Sequence, residues 1–105
     1  NGRVLYEING DIMPVGHSPR MSAFTNHSLS LKNTKATIYL ATDGFADQLG
    51  GSKHSKYGSV KLKKGIISNS MKPFAEQQEI LHNAFDSWMG SSFQVDDVTI
   101  LGIKI

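Results

Sequence analysis

The sequence contains no cysteine. That excludes a disulfide framework and a thiolate zinc site, and it fits a reducing, cytoplasmic setting. No apolar run approaches the ~20 residues that a helix needs to span a bilayer, and no signal-peptide pattern opens the chain, so no membrane partner is expected. Charge of one sign is scarce as well. Eleven Lys and Arg against nine Asp and Glu leave a formal net charge of only +2. The basic residues gather at Lys53, Lys56, Lys61, Lys63 and Lys64, without the dense basic face and interleaved aromatics of a nucleic-acid binder. No nucleic acid is therefore expected, and the cluster reads as a solvated face. Proline is limited to three residues, two of them in the loop-like stretch "IMPVGHSPR" at 12–20. There is no internal repeat and no low-complexity tract.

What is present suits one small domain of 105 residues, large enough to bury a core. The first residue is Asn1 rather than Met, so the chain is expected to be a piece of a longer protein. "RVLYEI" at 3–8 alternates as a strand does and is followed by the turn signal Asn9-Gly10-Asp11. "MSAFTNHSLSL" at 21–31 is a weaker strand, and residues 32–35 form a polar turn. "ATIYLAT" at 36–42 is apolar on both faces, as in the middle of a sheet. Residues 50–58 read as a polar loop, and "SVKLKKGIIS" at 59–68 as a short helix weakened by Gly65. Pro73 and Glu76 suit the start of a longer helix. Its stripe of Gln77, Leu81, Ala84, Phe85 and Trp88, widened by Ile80, predicts a core-facing side, and Gly90 predicts its cap. "DDVTILGIKI" at 96–105 is a second strong strand, with Thr99, Leu101, Ile103 and Ile105 on one face. Strands, then helices, then a closing strand predict an α+β fold, with a largely antiparallel sheet flanked by helices.

Two strand ends carry acids. Asp43 stands where the strand of 36–42 stops, followed by Gly44 and, four residues after Asp43, by Asp47. Asp96 and Asp97 stand where the last strand begins. Antiparallel neighbours would bring these ends to one edge of the sheet and set three carboxylates within a few ångströms. Like charges that close repel, and a divalent cation removes the repulsion. Hard oxygen donors without cysteine favour Mg²⁺ or Mn²⁺ over zinc. Gly44 lets the main chain be approached closely. The competing reading is plain: Asp-Gly is a common turn, and paired aspartates often belong to a solvated loop. His17, His27, His54 and His82 are scattered, with no i, i+4 pair, so a histidine metal site is not expected. His82 reads as half-exposed packing, and Phe85 and Trp88 as core.

"YLATDGFADQ", "KYG" at 56–58 and the terminal "QVDDVTILGIKI", with "MPVGHSP" at 13–19, together resemble the metal-dependent Ser/Thr protein phosphatases of type 2C (PPM), in their SpoIIE-like bacterial branch. The resemblance runs through nearly the whole chain. It implies an α/β sandwich of two antiparallel sheets with flanking helices, and a two-metal centre at one end. Asp43 then matches the metal-binding acid of the "DG" motif, Asp96 the metal-binding acid of the last motif, and Asp97 the residue beside it. Asp47 matches a frequent acid of the following loop. Two Mn²⁺ or Mg²⁺ ions about 3.5–4 Å apart would activate a water for attack on a phosphoserine or phosphothreonine. No nucleophilic side chain is needed, in keeping with the absence of cysteine.

The family's two N-terminal metal motifs are absent, namely an early strand aspartate and an Asp-Gly-x-Gly-His-Gly type of stretch. The chain thus resembles the C-terminal half of such a domain, with residues 1–105 supplying only part of the metal cage. The N-terminal half of the same domain is then an expected partner, and a homodimer is the alternative cover for the two-faced strands. A phosphorylated protein, in this branch often of anti-anti-sigma type, is the implied substrate. The rival expectation, from a different class, is a catalytically inert, degenerate regulatory interaction module.

Overall fold

The structure, a computed structural model, describes residues 5–9, 25–31 and 35–105. In chain order the elements are β1 (Thr37–Ala41), the one-turn helix α1 (Gly44–Asp47), β2 (Leu49–Gly50), β3 (Ser55–Lys56), α2 (Ser59–Asn69), α3 (Phe74–Met89) and β4 (Ile100–Lys104). The fold is α+β, and among the described residues both small sheets pair antiparallel. Among the described residues no helix is long and apolar enough to cross a membrane.

β1 and β4 pair antiparallel, with Ile38 opposite Ile103, Leu40 opposite Leu101 and Ala41 opposite Ile100. Period-2 alternation gives this sheet two unlike faces. Tyr39 and Gly102 turn toward α3, where the Tyr39 hydroxyl donates to Oε1 of the buried Gln77 at 2.6 Å and Gly102 lies under the Phe74 ring. Ile38, Leu40, Leu101 and Ile103 point the other way, and Leu40 and Leu101 remain 56% and 51% exposed. Both strands are as apolar as the sequence suggests, but among the described residues only one face is covered.

The core lies beyond the end of the sheet, where α1, α2 and α3 meet. Phe45 is 3% exposed and meets Tyr57 and Phe85 edge-on, each with ring centroids 5.1 Å away. Tyr57 in turn meets Trp88 at 5.7 Å. Helix α2 meets both α1 and α3, and its Leu62 is buried. Of the stripe expected on α3, Phe85 and Trp88 join this cluster, Gln77 is buried beside Tyr39 of β1, and Ile80, Leu81 and Ala84 are half-buried; Gly90 ends the helix with its N–H donating to the Asp86 carbonyl at 2.9 Å.

Three segments depart from the sequence expectation. The stretch read as a loop at 50–58 contributes to a short hairpin, with Leu49 opposite Lys56 and Gly50 opposite Ser55. Gly50 is packed so tightly on the end of α3 that a Cβ would overlap the Trp88 carbonyl. The helix expected at 59–68 is present as α2 and runs unbroken through Gly65 for 11 residues, burial of Leu62 offsetting the ~1 kcal/mol a mid-helix glycine costs. Residues 5–8 and 25–31 form no regular structure, although 5–8 belongs to an alternating stretch and 25–31 to a weaker expected strand. A strand takes its hydrogen bonds from a partner edge, and alternation does not name the partner. Glu7 instead pairs with Lys63 of α2 at 2.6 Å. The remainder of these two expected strands, the turn at Gly10 and Asp11, and the 13–19 stretch lie outside the described residues.

Candidate functional site

β1 stops at Ala41, and Thr42, Asp43 and Gly44 turn the chain into α1, where the Asp43 carbonyl accepts the Asp47 N–H at 2.9 Å. On the other side, residues 93–99 run irregularly into β4. The antiparallel register brings these two stretches to one end of the sheet. The Thr42 N–H donates to the Thr99 carbonyl at 3.0 Å, and the Thr99 N–H donates to Thr42 Oγ1 at 3.1 Å. The Thr42 hydroxyl in turn reaches the carbonyls of Thr99 at 3.4 Å and Asp97 at 3.5 Å. Gly44 rests directly on the main chain of Asp97. A Cβ there would overlap the Asp97 carbonyl oxygen and press Val98 Cγ2 at 3.3 Å. This contact answers why a strand should end in aspartate and glycine: glycine is what lets the second acidic stretch lie against the first.

The backbone therefore brings Asp43–Gly44 and Asp97 together, while the side chains do not close into one ligand set. Asp43, Asp96 and Asp97 are all exposed. The Asp96 carboxylate is engaged locally, its Oδ1 accepting the Asp97 N–H at 2.7 Å. Asp47 turns to Lys56 of β3, with 3.4 Å between Oδ1 and Nζ. Among the described residues no group of three or more His, Cys, Asp or Glu side chains is placed to hold a metal ion. In type, carboxylate oxygens at these two strand ends suit a hard divalent cation. In number they make only part of a cage.

Among the described residues the histidines add nothing to it. His82 pairs with Asp86 one turn along α3 at 3.0 Å, and His54 Nδ1 lies 3.3 Å from Ser92 Oγ.

Two residues near the site carry more than the sequence suggested. Gln48 is completely buried. Its Nε2 donates to the carbonyls of Phe93 at 2.8 Å and Leu49 at 3.0 Å, and its Oε1 accepts the Val95 N–H at 3.3 Å. Its own carbonyl accepts Trp88 Nε1 and the Tyr57 N–H, each at 2.9 Å. The second is Lys61. Its ammonium sits 3.6 Å from the Trp88 ring centroid and 4.4 Å from that of Tyr57. With Lys56 on Asp47 and Lys63 on Glu7, three of the five clustered lysines have specific partners, on a face that is solvated as expected: Lys53, Lys56, Lys61 and Lys64 are exposed. The i, i+4 spacing of Tyr57 and Lys61 was the available signal for the cation–π contact. A glutamine at the end of a one-turn helix gives no comparable signal.

No protein-family model and no curated protein matches the chain. Among solved structures, the chain is similar to the SiaA-PP2C domain of Pseudomonas aeruginosa, with 35% sequence identity and a TM-score of 0.63. The match covers 66% of this chain and 28% of that one, so the chain spans little more than a quarter of the domain it resembles. Over that part the chain has a PP2C-type phosphatase fold.

Proposed function

We propose that this chain is part of a metal-dependent phosphoserine/phosphothreonine protein phosphatase of the SpoIIE-like branch, working in bacterial signalling. The observation that carries the reading is the seating of Asp43 and Gly44 on the Asp97 main chain, in a chain 35% identical to part of a PP2C domain. Asp43 and Asp96 present anionic oxygens from two different strand ends, so β1–β4 pairing sets how far apart these donors lie. Asp97 orients a ligand beside them, and Gly44, without a Cβ, lets the Asp97 main chain lie against the turn that carries Asp43. When bound, Mn²⁺ or Mg²⁺ supplies an activated water and neutralises charge on the phosphoryl oxygens. The substrate is a phosphorylated protein, of the anti-anti-sigma type in this branch. The N-terminal half of the same domain supplies the remaining ligands and covers the bare face of Ile38, Leu40, Leu101 and Ile103.

A second reading, a catalytically inert regulatory module, is favoured by one observation: among the described residues no three candidate ligands stand together. The two are separated by assaying the full polypeptide that carries this chain on a phosphoserine peptide. The phosphatase reading expects Mn²⁺-dependent release of phosphate that Asp43→Asn and Asp96→Asn abolish, with little activity from residues 1–105 alone. A folded full polypeptide with no activity in Mn²⁺ or Mg²⁺ would leave the regulatory module.

A further inference from the structure

Residues 93–99 hold both C-terminal acids, yet they form neither helix nor strand, and Phe93 is 91% exposed. Apart from the contact of Asp97 and Val98 with Gly44, the segment's position is set by a few hydrogen bonds, and those that reach beyond it come from the stretch that carries the other acid. At its β4 end, Thr42 engages the Thr99 main chain in both directions. At its other end the links come from Gln48.

We infer that Gln48 is a positioning residue for the acidic site: its side-chain amide clamps residues 93–95 to the end of α1 and so sets Asp96 and Asp97 against Asp43 and Gly44. The metal readout below rests on the phosphatase reading, whereas the clamp itself rests on geometry alone. A primary amide suits the task because one end must donate and the other accept. Nε2 uses both of its hydrogens, on the Phe93 and Leu49 carbonyls, while Oε1 takes the Val95 N–H. All three partners are main-chain groups, so the clamp holds backbone at both ends and is insensitive to the side chains there. The main-chain carbonyl of Gln48 anchors the other end, receiving α3 through Trp88 and the hairpin through Tyr57. A complete set of bonds in a fully buried place fixes one orientation, since a half-satisfied amide would be costly there. Asp43 and Gln48 are five residues apart on either side of α1, so the helix acts as a rigid spacer between the first acid and the clamp.

The test uses the full polypeptide that carries this chain, comparing the parent with Gln48→Met, Gln48→Glu and Asp43→Asn. Gln48→Met keeps the volume and removes every side-chain hydrogen bond. Gln48→Glu keeps the acceptor but faces two carbonyls with a carboxylate. Amide hydrogen exchange and Mn²⁺ affinity by calorimetry are both measured well below the melting temperature. The expected result is faster exchange confined to residues 95–99 and a Mn²⁺ affinity lower by about 10–100-fold, the usual consequence of losing a group that orients ligands. A purely structural role would lower the melting temperature and leave the affinity of the folded variant unchanged. If Gln48→Met does not fold, Gln48→Glu decides by the same two readouts. Parent-like exchange at 95–99 and parent-like Mn²⁺ affinity in a folded Gln48 variant would overturn the inference. Parent-like Mn²⁺ affinity in Asp43→Asn would instead overturn the metal reading, and the exchange result would still judge the clamp.

Discussion

Thr42 and Thr99 face each other across the end of the β1–β4 pair, each bonding to the other: Thr42 N–H to the Thr99 carbonyl at 3.0 Å, and Thr99 N–H to Thr42 Oγ1 at 3.1 Å. The hydroxyl in effect continues the ladder one step past the last regular pair, Ala41 with Ile100. Thr42→Val keeps the shape and removes the acceptor. We expect a loss of about 1 kcal/mol in urea unfolding, the usual net worth of one such bond, with Thr42→Ser close to the parent. Equal stability of the Val and Ser variants would show that the hydroxyl carries nothing.

Gly44 offers a sharper test because the obstacle is backbone. Gly44→Ala must push the Asp97 carbonyl aside. Overpacking of this kind costs roughly 1–3 kcal/mol. For a domain of this size each kcal/mol lowers the melting temperature by about 4–8 °C. Gly65→Ala is the control, since a Cβ there meets open space within the helix α2. Calorimetry should show Gly44→Ala lowering the melting temperature and Gly65→Ala raising it.

Lys61 is expected to matter where its neighbours do not. Removing its contact with the Trp88 and Tyr57 rings in Lys61→Gln should cost about 0.5–1 kcal/mol. Lys61→Arg retains the cation and should cost less. Lys53→Ala and Lys64→Ala, at exposed positions, should stay within about 0.5 kcal/mol of the parent. Chemical denaturation of the four variants under one set of conditions makes the comparison, and a uniform response would mean that the rings do not hold Lys61.

The bare face of the sheet bears on association. Ile38 and Leu40 on β1 lie beside Ile103 and Leu101 on β4, forming a continuous apolar strip. At ~25 cal/mol per Å², each hundred square ångströms covered is worth on the order of 2–3 kcal/mol. Residues 1–105 on their own should therefore associate as the concentration rises in sedimentation, and Leu40→Lys should weaken that association. A monomer at high micromolar concentration would show that this strip needs no cover.

Much of this arrangement was legible in the sequence. Thr37–Ala41 and Ile100–Lys104 stood out as apolar β-favouring runs, Phe74–Met89 as an amphipathic stripe between Pro73 and Gly90, and the acids of "TDG" and "DD" as strand-end features. Their meeting followed from antiparallel pairing. The hairpin of Leu49–Gly50 with Ser55–Lys56 was hidden, because two-residue strands are too short to show a period. The strand expected at 3–8 failed over its described residues for the opposite reason: a period was present, and the partner it needed was not specified. Gln48 was invisible because glutamine is ordinarily a surface residue. Only three-dimensional placement gives its amide three backbone partners. The orientation of the Asp96 carboxylate toward its neighbouring amide is likewise a matter of local geometry that spacing does not encode.

The pairing of β1 with β4 also governs when the acidic site can exist. Thr42 and Thr99 are 57 positions apart, and both α2 and α3 lie between them. Closing a loop of that length carries an entropic cost of a few kcal/mol, whereas α2 and α3 can form from near neighbours. The helical hairpin is thus the natural early structure and the strand closure the late one. Asp43 and Asp97 meet only once the intervening chain has been drawn in, so the site is absent from partly folded forms. A cation that binds there would bind only the closed chain, and by mass action it would act as a latch on the completed fold.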